Sequence, residues 1–314
     1  MIDIVVRRLV GMVPVLIGVS LITFALIQII PGDAAVVIAG PDASTDQVEA
    51  IREVLGLDRP LHVQLGIWYW NLLQGDLGDS FLLGRSVTQA IMERLPVTML
   101  LTTYSILLTM PLGVAAGLIA AYRQNTWVDT AVMSVALVGV SVPSFWLSVM
   151  GILLFSVTLG WLPTSGYVPP EEGLIACLRS LTLPAISLAV FQIGLLARMT
   201  RATTLEVLRQ DFIRTARAKG VSEWRAVARH ALSNVMIPIV TVVGLLVNVA
   251  LAGAVVIEQI FVLPGLGQLV VQGILRRDFP VIQGSILAVA VLLVAINLIV
   301  DLLYAYLDPR LRND

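Results

Sequence analysis

Apolar runs of roughly twenty residues recur six times in this chain, and no other feature restricts its fold as strongly. They cover residues 9–30, 97–121, 130–159, 181–197, 235–257 and 281–300. At about 1.5 Å of rise per residue, some 20 helical residues cross roughly 30 Å of hydrocarbon. Inside lipid every backbone N–H and C=O must be satisfied within the segment, so runs of this length are read as helices. The first run follows Arg7 and Arg8. It exceeds the roughly 7–15 apolar residues of a cleaved leader and reads as a retained span. The third run is overlong and holds GVSVPSF (Gly139 to Phe145) in its middle. A tilted or proline-kinked helix, partly outside the bilayer, is expected there. Composition agrees: the chain is 58% hydrophobic and 13% charged, against about 45–50% and 25% in soluble domains. The expected fold is therefore an all-α polytopic membrane bundle of about six transmembrane helices.

The net charge of −1 selects no partner, so the position of the charges matters more. With the N-terminus inside, thirteen of the twenty lysines and arginines fall on the inner side, among them Arg123, Arg198, Arg201 and six between Arg209 and Arg229. The positive-inside rule then puts both termini in the cytoplasm. Three regions follow: residues 1–30, an N-terminal span; 31–96, an extracytoplasmic segment; and 97–314, a five-helix core whose loop 203–233 is cytoplasmic. The outer segment has helix signals of its own. Ser44 with Gln47 fits a capping box, Val48, Ile51 and Leu55 share a face, and Gly56 then Pro60 end that helix. In LGIWYWNLL (Leu65 to Leu73), Leu65, Trp68 and Leu72 line one side. Trp and Tyr favour the headgroup level, so this stretch is either a cap on the bundle or part of an external docking surface.

Several chemistries lack the residues they need. One cysteine, Cys177, and two histidines, His62 and His230, form no disulfide and no metal-ligand spacing. There is no G-x-x-x-x-G-K-[ST], H-E-x-x-H or G-x-S-x-G, so no catalytic or metal site is expected. Polar residues within spans are costly and often functional. Gln192, Asn248 and Asn297 are candidates for a translocation pathway, and Ser141 and Pro143 mark an irregular stretch of the third span. Each has a plain alternative, an interhelical hydrogen bond. Asp301 and Glu258 lie near span ends, where they reach the interface. They are the carboxylates an ion-coupled secondary transporter would use, but no inverted repeat supports that class. Gly113 and Gly117 form G-x-x-x-G, a close-packing signal.

The basic segment between spans four and five has more structure than a topology signal needs. Leu205, Leu208 and Phe212 recur at i, i+3 and i+7, which predicts an amphipathic helix continuing inward from span four. Gly220 stands where a left-handed helix stop is expected. Ser222 then caps a second helix with Trp224, Val227, Ala228 and Ala231 on one face. A loop that touches only anionic lipid, a DNA-binding helix-turn-helix and a rigid lever for a cytoplasmic partner all compete here. Tethering between spans disfavours the second, and the glycine-broken helix pair favours the third.

These residues resemble a known family. DFIRTARAKGVSEWRAVARHALSNVMIP is similar to the cytoplasmic coupling loop, or EAA loop, of binding-protein-dependent ABC importer permeases, in the branch carrying dipeptides, oligopeptides, glutathione and nickel complexes. Arg214, Thr215 and Ala216 stand at the Glu-Ala-Ala positions and Gly220 at the glycine. RRLVGMVPVLIGVSLITFALIQIIPGD, LGLDRPLHVQ, GDLGDSF, ERLPVTMLLT, FVLPGLGQLVVQGILRRDFPVIQG and NLIVDLLYAYLDPRLR extend the resemblance over nearly the whole chain. Ala34, Leu263 and Gln268 depart from it where Pro, Trp and Arg are common. The resemblance implies a non-enzymatic permease subunit in a bacterial inner membrane, forming the pathway for di- or oligopeptides or small peptides such as glutathione, with nickel complexes as the alternative. It implies a second homologous permease, an extracytoplasmic solute-binding protein and two ATPase subunits, with ATP and Mg on the ATPases and no cofactor in this chain. The coupling residues it implies are Arg214, Thr215, Ala216, Arg217, Ala218, Lys219 and Gly220. Arg214, Arg217 and Lys219 would meet acidic groups, and Ala216 and Ala218 would allow close docking.

Overall fold

The structure, a computed structural model, describes residues 2–29, 34–40, 43–54, 56–80, 82–222, 225 and 232–307. The expected second helix of the basic hairpin (Trp224, Val227, Ala228, Ala231) lies outside them, as do Leu55, Pro31 to Asp33 and the Arg310–Arg312 tail. Within the described residues the chain forms α1 (Ile2–Ile29), α2 (Ala34–Ala39), α3 (Thr45–Val54), α4 (Leu61–Leu73), β1 (Asp79–Ser80), β2 (Arg85–Ser86), α5 (Val87–Tyr122), α6 (Trp127–Ser141) and α7 (Ser144–Gly151). A π-helical stretch, Ile152–Thr158, and a 3-10 turn, Pro170–Glu172, precede α8 (Leu174–Leu208). Next come α9 (Asp211–Ala218), α10 (Leu232–Ile260), α11 (Leu266–Arg276) and α12 (Phe279–Leu307).

Four described helices are long and apolar enough to cross a membrane: α5, α8, α10 and α12. The first expected span is α1, with its described apolar stretch at Val10–Ala25. The third is broken rather than kinked: α6 and the helix from Ser144 to Thr158 meet at 98°. Pro143 explains the break. It has no N–H to donate, and its ring forces the preceding residue out of the helical region. Val142 is accordingly extended, with φ −83° and ψ 126°. Helix α5 begins at Val87 and runs through Pro96, so the last ten residues of the expected outer segment are helical.

The chain divides into two compact units. One comprises Val6–Val97 and Pro264–Val294. Its core is Val87, Ala90, Ile91, Leu266, Leu269 and Val281. The capping box forms as expected: Ser44 N–H donates to Gln47 Oε1 at 2.9 Å and Gln47 N–H to Ser44 Oγ at 3.3 Å. Gly56, at φ +66°, ends α3. In α4, Leu65, Trp68 and Leu72 are half-buried and Trp70 and Leu73 exposed. Trp68 stacks obliquely against Phe24 of α1, 6.1 Å between centroids, and Tyr69 shares a 2.6 Å hydrogen bond with Ser20. The aromatic stretch is therefore a cap packed on the first helix. Two distant motifs also meet here. The Ser80 hydroxyl of GDLGDSF donates to Asp278 of RRDFPV, and the other Asp278 oxygen accepts from Val281 N–H at 3.4 Å.

The other unit comprises Thr98–Leu263 and the chain from Ala295. It is built around α8. Lipid offers no hydrophobic drive to bring helices together, so close contact through small residues supplies the packing energy. A Cβ on Gly117 would lie 2.6 Å from the Ala197 carbonyl oxygen, and one on Gly113 would lie 2.9 Å from Leu196 Cβ. Gly139 packs similarly on Val190, whose carbonyl oxygen would lie only 3.2 Å from an added Cβ. The G-x-x-x-G is thus the seat of α5 on α8. Outward-facing Leu107, Val135, Val138 and Ile299 are exposed, as residues facing lipid would be.

Candidate functional site

The coupling segment begins with a break that periodicity did not predict. Helix α8 stops at Leu208, Arg209 caps it, and Gln210 is extended at ψ 152° before α9 starts. An uninterrupted helix would put Leu205, Leu208 and Phe212 on one face. In the structure Phe212 is exposed at 42% and Ile213 is fully buried, with Val207, Leu208, Val235 and Ile239. Burying Ile213 is worth about 1.5–3 kcal/mol, enough to redirect one turn of backbone.

Helix α9 closes as the sequence predicts. Gly220 has φ +85°, its N–H donates to Arg217 O at 2.9 Å, and Val221 N–H donates to Ala216 O at 3.2 Å. This paired closure around a left-handed residue satisfies the last carbonyls of the helix. Val221 then packs on the cluster around Ile213. The short helix is thus pinned at both ends by apolar contacts. Arg214, Thr215, Arg217, Ala218, Lys219 and Gly220 are exposed and Ala216 is half-buried. Of the two alanines expected on the docking face, Ala218 is the outward one. Thr215 Oγ1 donates to Asp211 O at 3.0 Å, and Arg217 reaches back to Leu208 O at 3.4 Å.

The other candidates divide. Asn248 of α10 and Asn297 of α12 come together, Nδ2 donating to Oδ1 at 2.8 Å, and Asn297 is exposed. Gln192 is 1% exposed. Its amide donates to Leu188 O at 3.1 Å and accepts from Thr109 at 3.5 Å, so it serves the contact of α5 with α8. Ser141 and Pro143 flank the break and are exposed, with Ser141 Oγ bonded to Leu137 O at 2.8 Å. Glu258, expected to reach the interface, is instead fully buried and accepts from the Thr98 hydroxyl at 2.6 Å.

Sequence reasoning missed one ion pair. Arg201 of α8 holds Asp129 of α6 through two 2.6 Å bonds, and Asn125 N–H adds a third at 3.1 Å. Asp129 is 5% exposed. A lone acid just before the third apolar run, with an arginine just past the end of the fourth, was the available signal. Counting Arg201 only as an inner charge hid it.

A family profile described as the inner membrane component of binding-protein-dependent transport systems matches residues 113–313. A second profile, for the N-terminal region of such membrane components, matches residues 1–102. The chain belongs to this family. It is a multi-pass inner membrane permease component of an ABC importer. A Brucella abortus (strain 2308) protein provisionally described as a peptide transport system permease is 54% identical, covering 99% of each chain. The dipeptide transport system permease DppB of Alkalihalophilus pseudofirmus is 41% identical over 98% of each. The glutathione transport system permease GsiC of Escherichia coli O6:H1 is 42% identical over 99% of each. A chain of the MetNI methionine ABC transporter, solved in inward-facing conformations, superposes with TM-score 0.55 at 18% identity. The match covers 71% of this chain and 96% of that one and concerns the fold alone.

Proposed function

We propose that this chain forms one half of the membrane pathway of an ATP-driven importer for di- or oligopeptides, or small peptides such as glutathione. The observation that carries the coupling role is α9. It is a short helix whose inner face is locked by Ile213 and Val221 while Arg214, Thr215, Ala218 and Lys219 stand outward. A segment locked on one side transmits a push on the other as a rigid movement of α8 and α10, whose residues anchor it. A separate ATPase subunit, carrying ATP and Mg, receives α9 in a groove, with Arg214 and Lys219 meeting its acidic side chains. Exposed Phe212 at the start of α9 supplies an aromatic anchor.

ATP-driven closure of two such ATPases draws α9 toward its counterpart on a second, homologous permease. The spans then rock to the outward-open state, and a solute-binding protein delivers the peptide. The excess of arginines on one side of the expected spans supports a cytoplasmic position for α9 and both termini. The paired Asn248 and Asn297 line the pathway, because an exposed amide within a span is better placed against water than lipid. The names of the relatives favour peptides over nickel complexes as substrate.

Purification of the tagged chain from its native membrane tests this reading. Recovery of a P-loop ATPase and a second permease, with the ATPase lost on Phe212→Ala or Gly220→Val, is the expected result. Transport of peptide on an ion gradient without ATP would overturn it. In the reconstituted complex, ATP hydrolysis stimulated by a binding protein loaded with nickel complexes but not peptides would replace the substrate assignment.

A further inference from the structure

We infer that the pocket where α5 and α8 end is a binding site for the phosphate-bearing headgroup of an anionic phospholipid. The cavity has a volume of about 530 Å³, and Arg123, Arg209, Arg217 and Gln124 are among its lining residues. Among the described residues no carboxylate lines it. Two other arginines at this end of the unit have acidic partners: Arg201 holds Asp129, and Arg214 lies 3.4 Å from Asp211. Among the described residues no carboxylate pairs with Arg123 or Arg209. Arg123 sits 5.4 Å from the centroid of the Tyr122 ring, a cation–π contact that steadies the guanidinium and leaves its N–H groups available. Arginines gathered on one cavity repel one another, and a phosphodiester relieves that repulsion through paired N–H···O bonds that match the guanidinium fork.

The surroundings identify the phosphate as a lipid's. Helix α5 ends at Tyr122, one residue beyond its apolar run, so the pocket opens where that helix leaves its apolar stretch. Leu205, Leu208 and Ala121 give it an apolar wall against which glycerol and the first acyl carbons can lie. Trp127, 80% exposed at the start of α6, stands where an indole anchors at headgroup level. A site for a soluble anion needs neither wall nor anchor, whereas basic pockets between spans are characteristic headgroup sites. Arg123 and Arg209 together favour a headgroup with two phosphodiesters over one.

This inference does not depend on the peptide assignment and is tested on the permease chain alone. The purified, delipidated chain is titrated with tetraoleoyl diphosphatidylglycerol in neutral detergent micelles, with phosphatidylcholine and with inorganic phosphate. Bound lipid is counted by native mass spectrometry. The expected result is saturable binding of the diphosphatidyl lipid, weakened about tenfold or more in Arg123→Gln/Arg209→Gln. The Arg123→Lys/Arg209→Lys variant, which keeps the charges but loses the forks, should fall between. Because the variants are compared at matched thermal midpoints and elution volumes, a misfolded chain cannot imitate the loss. Unchanged binding in the glutamine variant overturns the inference, as does equal affinity for phosphatidylcholine. Displacement of the lipid by inorganic phosphate at its own binding concentration would make this a free-phosphate site. If the glutamine variant binds lipid normally and, in a separate pull-down of the assembled transporter, fails to retain the ATPase, the pocket is a protein-docking surface.

Discussion

Gly220 is the residue whose identity the backbone most directly dictates. Nothing lies within 4 Å of where its Cβ would be, so its requirement is conformational rather than steric. At φ +85° an L-residue is strained by about 1–2 kcal/mol, and a β-branched one sits at the upper end. Asn tolerates this region, so Gly220→Asn should keep near-normal transport. Gly220→Val should shift the closed turn roughly tenfold toward open forms and uncouple ATP hydrolysis from uptake. Equal transport by the two variants would show that the turn does not matter. Asp129 is a second such residue. Asp129→Ala removes charge-assisted bonds to Arg201 and should cost about 1.5–3 kcal/mol, read as a lower thermal midpoint in detergent. Adding Arg201→Met should recover part of that loss, since the uncompensated charge leaves with it. If the double variant melts below the single one, the pair is not the source of the effect.

Among the elements, α8 organises its unit because glycines let its neighbours approach. Gly117→Leu would drive a side chain into the Ala197 carbonyl and Thr200, and should destabilise by about 1–3 kcal/mol or more. Gly18 of α1 has nothing within 4 Å of a built Cβ, so Gly18→Ala should be close to neutral. Thermal midpoints of the two purified variants decide between packing and a generic intolerance of glycine substitution. Such elements were legible in outline because their signals are local. The Ser44 and Gln47 box, the stop at Gly220 and the G-x-x-x-G each depend on residues within one turn or two. The break at Gln210 was not legible, because it follows from the burial of Ile213 against Val235 and Ile239, residues from a different helix. Pro143 gave warning of a bend but not its size. A proline inside a span is tolerated as a kink or ends the helix, according to what packs on either side.

At the scale of the whole molecule, membrane class was readable from the spacing of apolar runs, and the family from the resemblance of the coupling loop and the other family-like stretches. Partnership between distant polar groups was not. Asp129 with Arg201, Glu258 with Thr98 and Ser80 with Asp278 are each long-range contacts that no local period encodes. The same is true of Asn248 with Asn297, and their pairing bears on where the pathway runs. Asn297 is exposed on α12, a helix that also exposes Val291 and Ile299, so exposure alone does not separate a water-facing stripe from a lipid-facing one. The chain's one cysteine, Cys177, is buried, which makes a cysteine-free background simple to build. In a Cys177→Ala chain carrying Asn297→Cys, a water-facing thiol ionises and reacts with a polar maleimide. At Val291→Cys an apolar setting raises the thiol pKa and should slow labelling on the order of tenfold or more. In the assembled transporter the position at 297 should label fast and be protected by substrate. Equal, slow labelling at both positions would place the asparagine pair against lipid or the second permease. The polar pair would then be a helix-to-helix fastener, and the pathway would have to be sought at the broken third span instead.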